Sequence, residues 1–566
     1  MKPLLYSFAA ALLFPITLLA QLPSYPTLDS FPSADVNWYN RDITDDFIVG
    51  SSVDKAYKAL AGKQPKQKII VAVLDGGIDI THEKLKDQVW VNSMEIPGNG
   101  KDDDGNGYVD DVNGWNFLGG PNERNVSTEV LEFVRIVSEL DSAFIGYASV
   151  DVVPDSLKPR YKMYAKAKNE YNRVRSEFKT TLGRIDTLEI ELAYCERIVA
   201  KALGKTPNTP AEICALYTED KTVARARDFL CMRFAQGFTY DGLKAYKSRL
   251  RTNLDEVYNV NYKPRKIIGD NVKNINDRSY GNPDVKGPAA GHGTFVAGII
   301  GASRNNPAGM MGIADNVEIM PVRVVPDGDE DDKDVALGIR YAVDNGAKII
   351  NMSFGKGYSL RKPFVDSALV YAQSKNVLLV HAAGNSAFDL DDEDNFPTAV
   401  INDTLTVKSW LNVGAHYRSA DLDFAGIFSN YGRKSVDLFA PGVQLISLAP
   451  DNNYSQGDGT SFAAPVVSGI AALIWSYYPE LTALQLKEVL TTSVLKQNDL
   501  TVYLPTSGEK KKKIKFYKLS NTGGIVNAYE AVKKAELMVR VPTVTPEPEM
   551  KKPEPAVEKK KKKKKD

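Results

Sequence analysis

The strongest constraint on the fold is an alternation of short apolar runs with helix-forming segments, which begins near residue 68 and resumes after residue 285. The run Lys68–Leu74 is continuous and ends at Asp75, a pattern typical of a buried parallel strand. Further strand patterns cover 317–325, 347–352 and 377–383, with helix patterns between them. We therefore predict an α/β fold with a largely parallel sheet flanked by helices.

Three short segments, far apart along the chain, carry reactive side chains in the order Asp, His, Ser. Asp75 ends the first strand, His292 lies in Gly291–Thr294, and Ser461 lies in Gly459–Pro465 at the start of an apolar helix. A serine hydroxyl needs a base to take its proton, and histidine suits that task near neutral pH. A carboxylate then orients the imidazole and stabilises its charged form. These residue types predict an Asp75, His292 and Ser461 triad, with Asp79 as the rival carboxylate.

Together with Ala382–Ser386, these segments resemble those of the subtilisin-like serine proteases, the subtilases, which share this chain order. The resemblance covers about 60–120 and 285–495. It implies a serine endopeptidase that works through an acyl-enzyme and needs no cofactor for catalysis, with the Asn385 amide and the Ser461 N–H binding the oxyanion. The chain departs from the family at Gly76, where the family usually has Ser or Thr, and at Phe462, where it usually has Met.

The segment Asn351–Gly355 resembles the strand on which the family binds extended peptide. The resemblance implies that Ser353, Phe354, Gly355 and Gly384 bind substrate, and that the partners are proteins or peptides. Backbone pairing tolerates many sequences, so we expect broad specificity, with apolar subsites near Phe354 and Phe462. The alternative is a catalytically silent relative that binds a peptide or a surface.

An acidic loop at 102–111 predicts a calcium site. Its carboxylates and amides follow the spacing of a calcium-binding loop, and the candidate ligands are Asp102, Asp104, Asn106, Tyr108 and Asp110. The alternative is a solvated acidic turn. Subtilases commonly bind structural Ca²⁺, and the resemblance therefore favours Ca²⁺ as a structural cofactor.

Other acidic residues and histidines predict no site. We expect the stretches 327–332 and 389–394 to be solvated loops. His82 and His416 are interpreted as surface or loop residues, and His381 as a packing residue on its strand.

Composition changes divide the chain into predicted segments. Residues 122–285 are charged and helix-periodic, which predicts a helical insertion with two long antiparallel helices, or more specifically a short coiled coil. That insertion acts either as a lid, inhibitor or folding aid, or as a peripheral docking module. The segments are a signal peptide (1–20), the first part of the catalytic domain (21–121), the insertion (122–285), the rest of the catalytic domain (286–540) and a disordered tail rich in Pro, Glu and Lys (541–566).

The signal peptide predicts a secreted, periplasmic or cell-surface protein. Cys195, Cys214 and Cys231 all lie in the insertion, where one disulfide with a free thiol and three buried thiols both remain open. The formal net charge of zero gives no indication of a nucleic-acid partner. The tail ends in consecutive lysines at 559–565, which we interpret as solvated, with weak contact to an anionic surface as the alternative.

Overall fold

A computed structural model describes residues 25–121, 124–278, 280–305, 309–508 and 511–540. The predicted signal peptide (1–20) and tail (541–566) lie outside these residues. Within them the strands are β1 Ile69–Asp75, β2 Trp115–Asn116, β3 Val317–Arg323, β4 Ile349–Met352, β5 Leu378–Ala382, β6 Val400–Asn402, β7 Leu405–Thr406, β8 Trp410–His416, β9 Leu438–Pro441, β10 Leu445–Ala449, β11 Asn453–Gly457, β12 Leu495–Lys496, β13 Thr501–Tyr503, β14 Lys513–Lys515 and β15 Gly524–Ile525.

The α-helices divide between the insertion and the rest of the chain. Those before the His292 segment are α1 Val53–Ala59, α2 Glu132–Phe144, α3 Lys158–Leu203, α4 Pro210–Cys214, α5 Lys221–Ala235 and α6 Tyr240–Asp255. Those that follow are α7 Gly291–Gly301, α8 Asp332–Asp344, α9 Lys362–Ser374, α10 Thr460–Tyr477, α11 Ala483–Thr492 and α12 Ala528–Arg540.

Nine strands form one sheet in the described part of the chain, in the order β12-β15-β9-β8-β5-β4-β1-β3-β2. Every pair is parallel except β12 with β15. Alternate residues of β1 face opposite sides, so that Val71 and Val73 pack with α7 and α10, and Ala72 and Leu74 pack with α8 and α9. The predicted fold class is therefore confirmed.

Helix α10 runs through the centre of the molecule. It is the one helix among the described residues that is long and apolar enough to cross a membrane, and 83% of it is buried inside the protein. It packs against α7 and the central strands, where its apolar surface forms core.

The insertion contains one long helix rather than two. Helix α3 extends over 46 residues, and α2, α5 and α6 pack along it as shorter helices. It ends at Gly204, which adopts the left-handed conformation, and Thr209 then caps α4 with Pro210 in its first turn. A disulfide joins Cys214 to Cys231, and Cys195 is free. The expectation of two long antiparallel helices is wrong because these local signals divide the second half of the insertion.

The acidic stretch 327–332 contradicts our expectation of a solvated loop. Glu330, Asp331 and Asp332 are at most 3% exposed, because the insertion and the segment after β4 bring buried cations to them. These include Arg135 of α2 and Lys356. In contrast, Asp391–Asp394 is exposed, as expected.

The histidines outside α7 are all buried. His82 and His416 are fully buried, so our surface interpretation of them is wrong. His82 packs against the Tyr454 ring, and His416 packs against Phe424. The residues that flank each histidine in the sequence give no sign of these contacts. His381 packs against Trp410 in the core, which confirms its packing role.

Candidate active site

The end of β1 and the first turn of α7 bring Asp75 and His292 together. His292 Nδ1 lies 2.9 Å from Asp75 Oδ1 and 3.0 Å from Oδ2. The backbone N–H of Gly76 also donates to Asp75 Oδ1, at 2.7 Å. This bond orients the carboxylate at the position where the family's usual side-chain hydroxyl is missing.

Glycine allows this close approach of helix and strand. A Cβ atom on Gly293 would lie 2.2 Å from the carbonyl oxygen of Gly77, and Gly77 itself has a φ of +124°. A side chain on Gly293 would therefore displace α7 from the end of β1, and one on Gly77 would clash with the Lys286 carbonyl oxygen.

The electrostatics of the pair favour a basic imidazole. Burial disfavours the charged ring, but the adjacent Asp75 carboxylate outweighs it, and the pKa of His292 is raised above its ordinary value of 6.5. The side chain of Asp75 is 3% exposed, whereas that of His292 is 41% exposed and can be reached from the cleft.

The rival carboxylate, Asp79, is engaged elsewhere. It lies 2.9 Å from Lys286 Nζ and accepts hydrogen bonds from Thr81 and from the Asp451 N–H. Burial opposes its ionisation, but these donors together lower the pKa of Asp79 to about 2. It therefore acts as a structural anion beside the α7 segment.

Ser461 lies in the first turn of α10. Its Oγ donates to the carbonyl oxygen of Ser353 at 3.0 Å, and among the described residues no hydrogen bond joins it to His292. The next residue, Phe462, packs against the His292 ring, with 5.5 Å between ring centroids. The nucleophile segment and the imidazole are thus adjacent, and rotation of the serine side chain about χ1 is what redirects its hydroxyl.

Asn385 is held by its oxygen atom. Asn385 Oδ1 accepts from both the backbone N–H and the hydroxyl of Thr460, each at 2.9 Å, and Thr460 Oγ1 accepts from the Gly384 N–H. Within the described ranges, no hydrogen bond involves the amide Nδ2, so it can donate to a ligand. A Cβ atom on Gly459 would lie 3.6 Å from both this Nδ2 and the Ser461 N, which shows that the two donors flank one space.

The predicted substrate segment Ser353–Gly355 begins directly after β4. Ser353 Oγ donates to the carbonyl oxygen of Ser461 at 2.7 Å and accepts from Asn351 Nδ2. Asn351 Oδ1 in turn accepts from Ser468 Oγ of α10. Sequence reasoning placed Asn351 in the substrate segment without assigning it a role, and it missed Ser468. The available signal is one polar residue in the middle of an apolar strand and another in an apolar helix.

The aromatic residues of the site differ in their exposure. Phe462 is 9% exposed and packs on Phe295, with 4.1 Å between ring centroids. It therefore packs into the core as well as against His292, and the apolar subsite expected beside it stays a prediction. Phe354 is half-buried, Gly355 is exposed, and Gly384 faces Asn430 and Asn395.

The carboxylates that meet beside the acidic loop are not the set that spacing predicts. Carboxylate oxygens of Glu95, Asp104 and Asp111 lie within 4.8 Å of one another. Asp102 instead accepts from three backbone N–H groups of its own loop, Asp110 accepts from those of Asn99 and Gly100, and Tyr108 packs on aromatic rings. Asn106 donates to Asp104 and Asp111. Burial, with Asp104 nearby, raises the pKa of Asp111 to about 6.

A comparison with known families matches residues 66–513 to the model described as the subtilase family. The chain belongs to the subtilase family. The match covers well over half of the chain, and it includes Asp75, His292, Asn385 and Ser461.

Individual relatives of this subtilase match well under half of its length. It is 35% identical to subtilisin DY of Bacillus licheniformis over 216 residues, which are 38% of this chain and 73% of that protein. It is 36% identical to the cell wall-associated protease of Bacillus subtilis (strain 168) over 201 residues, 35% of this chain but only 21% of that protein. A crystal structure of a cold adapted subtilisin-like serine proteinase shares 32% identity over 42% of this chain and 74% of its own, with a TM-score of 0.33.

Proposed function

We propose that this subtilase is a serine endopeptidase that hydrolyses peptide bonds. The observation that carries the proposal is the double contact of Asp75 with His292 Nδ1, on a ring that packs against Phe462, the residue next to Ser461. That arrangement supports a neutral imidazole able to take a proton from the serine hydroxyl.

The reaction follows from the positions of these groups. Ser461 Oγ turns from the Ser353 carbonyl, loses its proton to His292 Nε2 and attacks the substrate carbonyl carbon. The Ser461 N–H and Asn385 Nδ2 bind the oxyanion as it forms. The C–N bond then breaks as His292 returns the proton to the leaving amine, and water, activated in the same way, releases the acyl group.

The substrate is an extended protein or peptide segment, with no requirement for a cofactor in catalysis. Within Ser353–Gly355 the exposure increases from buried Ser353 to exposed Gly355, and strand-like backbone pairing with substrate at the exposed end would favour broad specificity. Phe354, half-buried beside that edge, supports one apolar subsite.

Labelling with a fluorophosphonate tests the proposal, because this reagent reacts with an activated serine hydroxyl. We expect one adduct, on Ser461, together with hydrolysis of unstructured protein. A folded protein that binds peptide but forms no adduct would instead be the catalytically silent relative.

We also propose that the protein works outside the cytoplasm. The Cys214–Cys231 disulfide supports an oxidising compartment, and the apolar N-terminus predicts export. Contact of the lysine-rich tail with an anionic surface stays a prediction.

The raised pKa of His292 sets the expected pH profile. Only the neutral imidazole accepts a proton, so kcat/KM should be low in acid and rise with pH, with a midpoint above the ordinary value of 6.5. Peptide hydrolysis measured between pH 4 and 10 checks this. A midpoint below 6.5 would contradict the dominance of Asp75 over burial.

Removal of the Asn385 amide should weaken oxyanion binding. For Asn385→Ala we expect kcat to fall by about 10²–10³ with little change in KM, the size of loss known for a subtilisin that lacks this donor. Steady-state kinetics on a peptide substrate check it, with Asn402→Ala, at the end of β6, as the matched control. Equal losses in both variants would contradict the role.

We further propose that Glu95, Asp104 and Asp111 hold a structural Ca²⁺. Glu95 is 6% exposed, and its Oε2 is buried with no hydrogen-bond partner among the described residues. A buried, unpaired carboxylate oxygen close to two other carboxylates fits a hard cation with oxygen ligands.

Calcium should therefore stabilise the fold. At a concentration of about 100 times Kd, we expect Ca²⁺ to add about 2.7 kcal/mol to the free energy of unfolding, and chelation to remove it. Thermal melts with Ca²⁺ and with chelator measure the effect. Glu95→Gln should abolish the calcium-dependent shift in Tm, whereas Asp110→Asn should retain it. The reverse pattern would favour the loop set predicted from spacing.

A further inference from the structure

The segment 356–361, here called the clamp segment, directly follows the substrate segment Ser353–Gly355. The insertion, which separates Asp75 from His292 in sequence, contacts the clamp segment through buried groups. These contacts connect a part of the chain outside the protease-like sequence to the floor of the proposed cleft.

Lys356 makes the central contact. Its Nζ lies 3.2 Å from Glu132 Oε2 of α2 and 2.9 Å from Asp332 Oδ1 of α8, and it donates to the Glu330 carbonyl oxygen at 2.7 Å. The side chains of Lys356 and Glu132 are 2% and 1% exposed. A charge this deeply buried is stable only with its partners in place. A displacement of Lys356 would break its ion pairs with Glu132 and Asp332, and it would leave Glu132 paired with Arg135 alone.

Other groups of the insertion hold the rest of the clamp segment. Glu132 Oε1 accepts from the Leu360 N–H at 2.8 Å. Arg361 forms an ion pair with Glu139 of α2, and the Tyr358 hydroxyl donates to Glu170 of α3 at 2.6 Å. Helices α2 and α3 therefore fix both ends and the middle of this segment.

The clamp segment is also connected to the opposite side of the site. Lys356 and Phe396 exchange two backbone hydrogen bonds, of 3.1 and 2.8 Å. The neighbouring Asn395 donates to the carbonyl oxygens of Ala382 and Ala383, just before Gly384, and a Cβ atom on Gly355 would lie 2.6 Å from its side chain. A displacement of Lys356 would thus reach both the substrate segment and the segment that carries Asn385.

We propose that Glu132 and Lys356 are positioning residues for peptide binding, through which the insertion sets the geometry of Ser353–Gly355. The inference rests on the proposed peptidase function and assigns the insertion a part in substrate binding. Since neither side chain touches the reacting atoms, loss of the pair should impair the binding of extended peptides far more than the reactivity of Ser461.

The test compares Glu132→Gln and Lys356→Met with the parent chain. For a peptide that spans several subsites, we expect KM to rise about tenfold in each variant, the equivalent of one lost hydrogen bond. The kcat for a small ester, which does not need the substrate segment, should stay within about twofold. Lys356→Arg, which keeps the cation, should recover part of the peptide KM. The double variant should be no worse than the poorer single variant, because the two residues act as a unit.

Asp334→Asn is the matched control. Asp334 is fully buried and forms an ion pair with the largely buried Arg265, 2.5 Å away. This pair joins the insertion to α8 but does not contact the clamp segment. We expect it to lower Tm without raising the peptide KM. If Glu132→Gln and Lys356→Met behave like this control, the pair is merely structural and the inference fails. If the parent chain neither hydrolyses peptide nor forms the fluorophosphonate adduct, the proposed function itself fails.

Discussion

Replacement of Ser461 by alanine should lower kcat for peptide hydrolysis by about 10⁶, the size of the loss when a subtilisin is deprived of its nucleophile. The oxyanion donors and the substrate segment remain, so KM should change little, and the residual rate should still exceed that in water. The measurement is steady-state hydrolysis of a peptide substrate, together with loss of the fluorophosphonate adduct.

Ser476→Ala provides the matched control on the same helix. Ser476 is buried, and its hydroxyl donates only to the Leu473 carbonyl within α10. We expect this variant to keep the parent kcat and the adduct on Ser461. If Ser461→Ala retained hydrolysis within an order of magnitude of the parent, the serine mechanism would be wrong.

Asp75→Asn should lower kcat by about 10⁴, with the fold preserved. An asparagine amide at this position presents an N–H toward Nδ1 and favours the wrong imidazole tautomer, so Nε2 no longer faces Ser461 as a base. The carboxylate also supplies the charge that raises the pKa of His292, and its loss should shift the pH midpoint downward. Both effects are read from one set of kcat/KM profiles against pH.

Asp79→Asn distinguishes this role from a general need for a buried anion. Asp79 is as buried as Asp75 and forms an ion pair with Lys286. We expect its replacement to reduce Tm but to leave the pH midpoint and most of kcat in the folded protein. A larger loss in kcat for Asp79→Asn than for Asp75→Asn would reverse the two assignments.

The sheet could be predicted because its signals are local. Burial on both faces can be inferred from each segment alone, as in the apolar run that ends at Asp75 and the small-residue pattern of α10. The ionic region around Glu330 could not be predicted, because Arg135 and Lys356 approach it from different parts of the chain. An acidic stretch that pairs with cations from distant parts of the chain has the same local sequence as one that is solvated.

The candidate site divides in the same way. Asp75, His292 and Ser461 stand in short motifs that can be read one at a time. Asn351 hydrogen-bonds Ser353 and Ser468, which lie far apart in the sequence. The carboxylates of Glu95 and Asp111 come close to each other only after the loop between them has folded. Their roles depend on a partner that the local sequence does not name.

The position of the insertion also bears on how the molecule assembles. Strands β1 and β3 are neighbours in the sheet, with Ile69 beside Val317, although the whole insertion separates them along the chain. Closing so long a loop carries an entropic penalty and slows folding. The insertion has an apolar cluster of its own, which includes Leu192 and Leu230. Early collapse of that cluster would shorten the effective loop and bring the two strands together sooner, so the insertion would hasten the pairing that it interrupts.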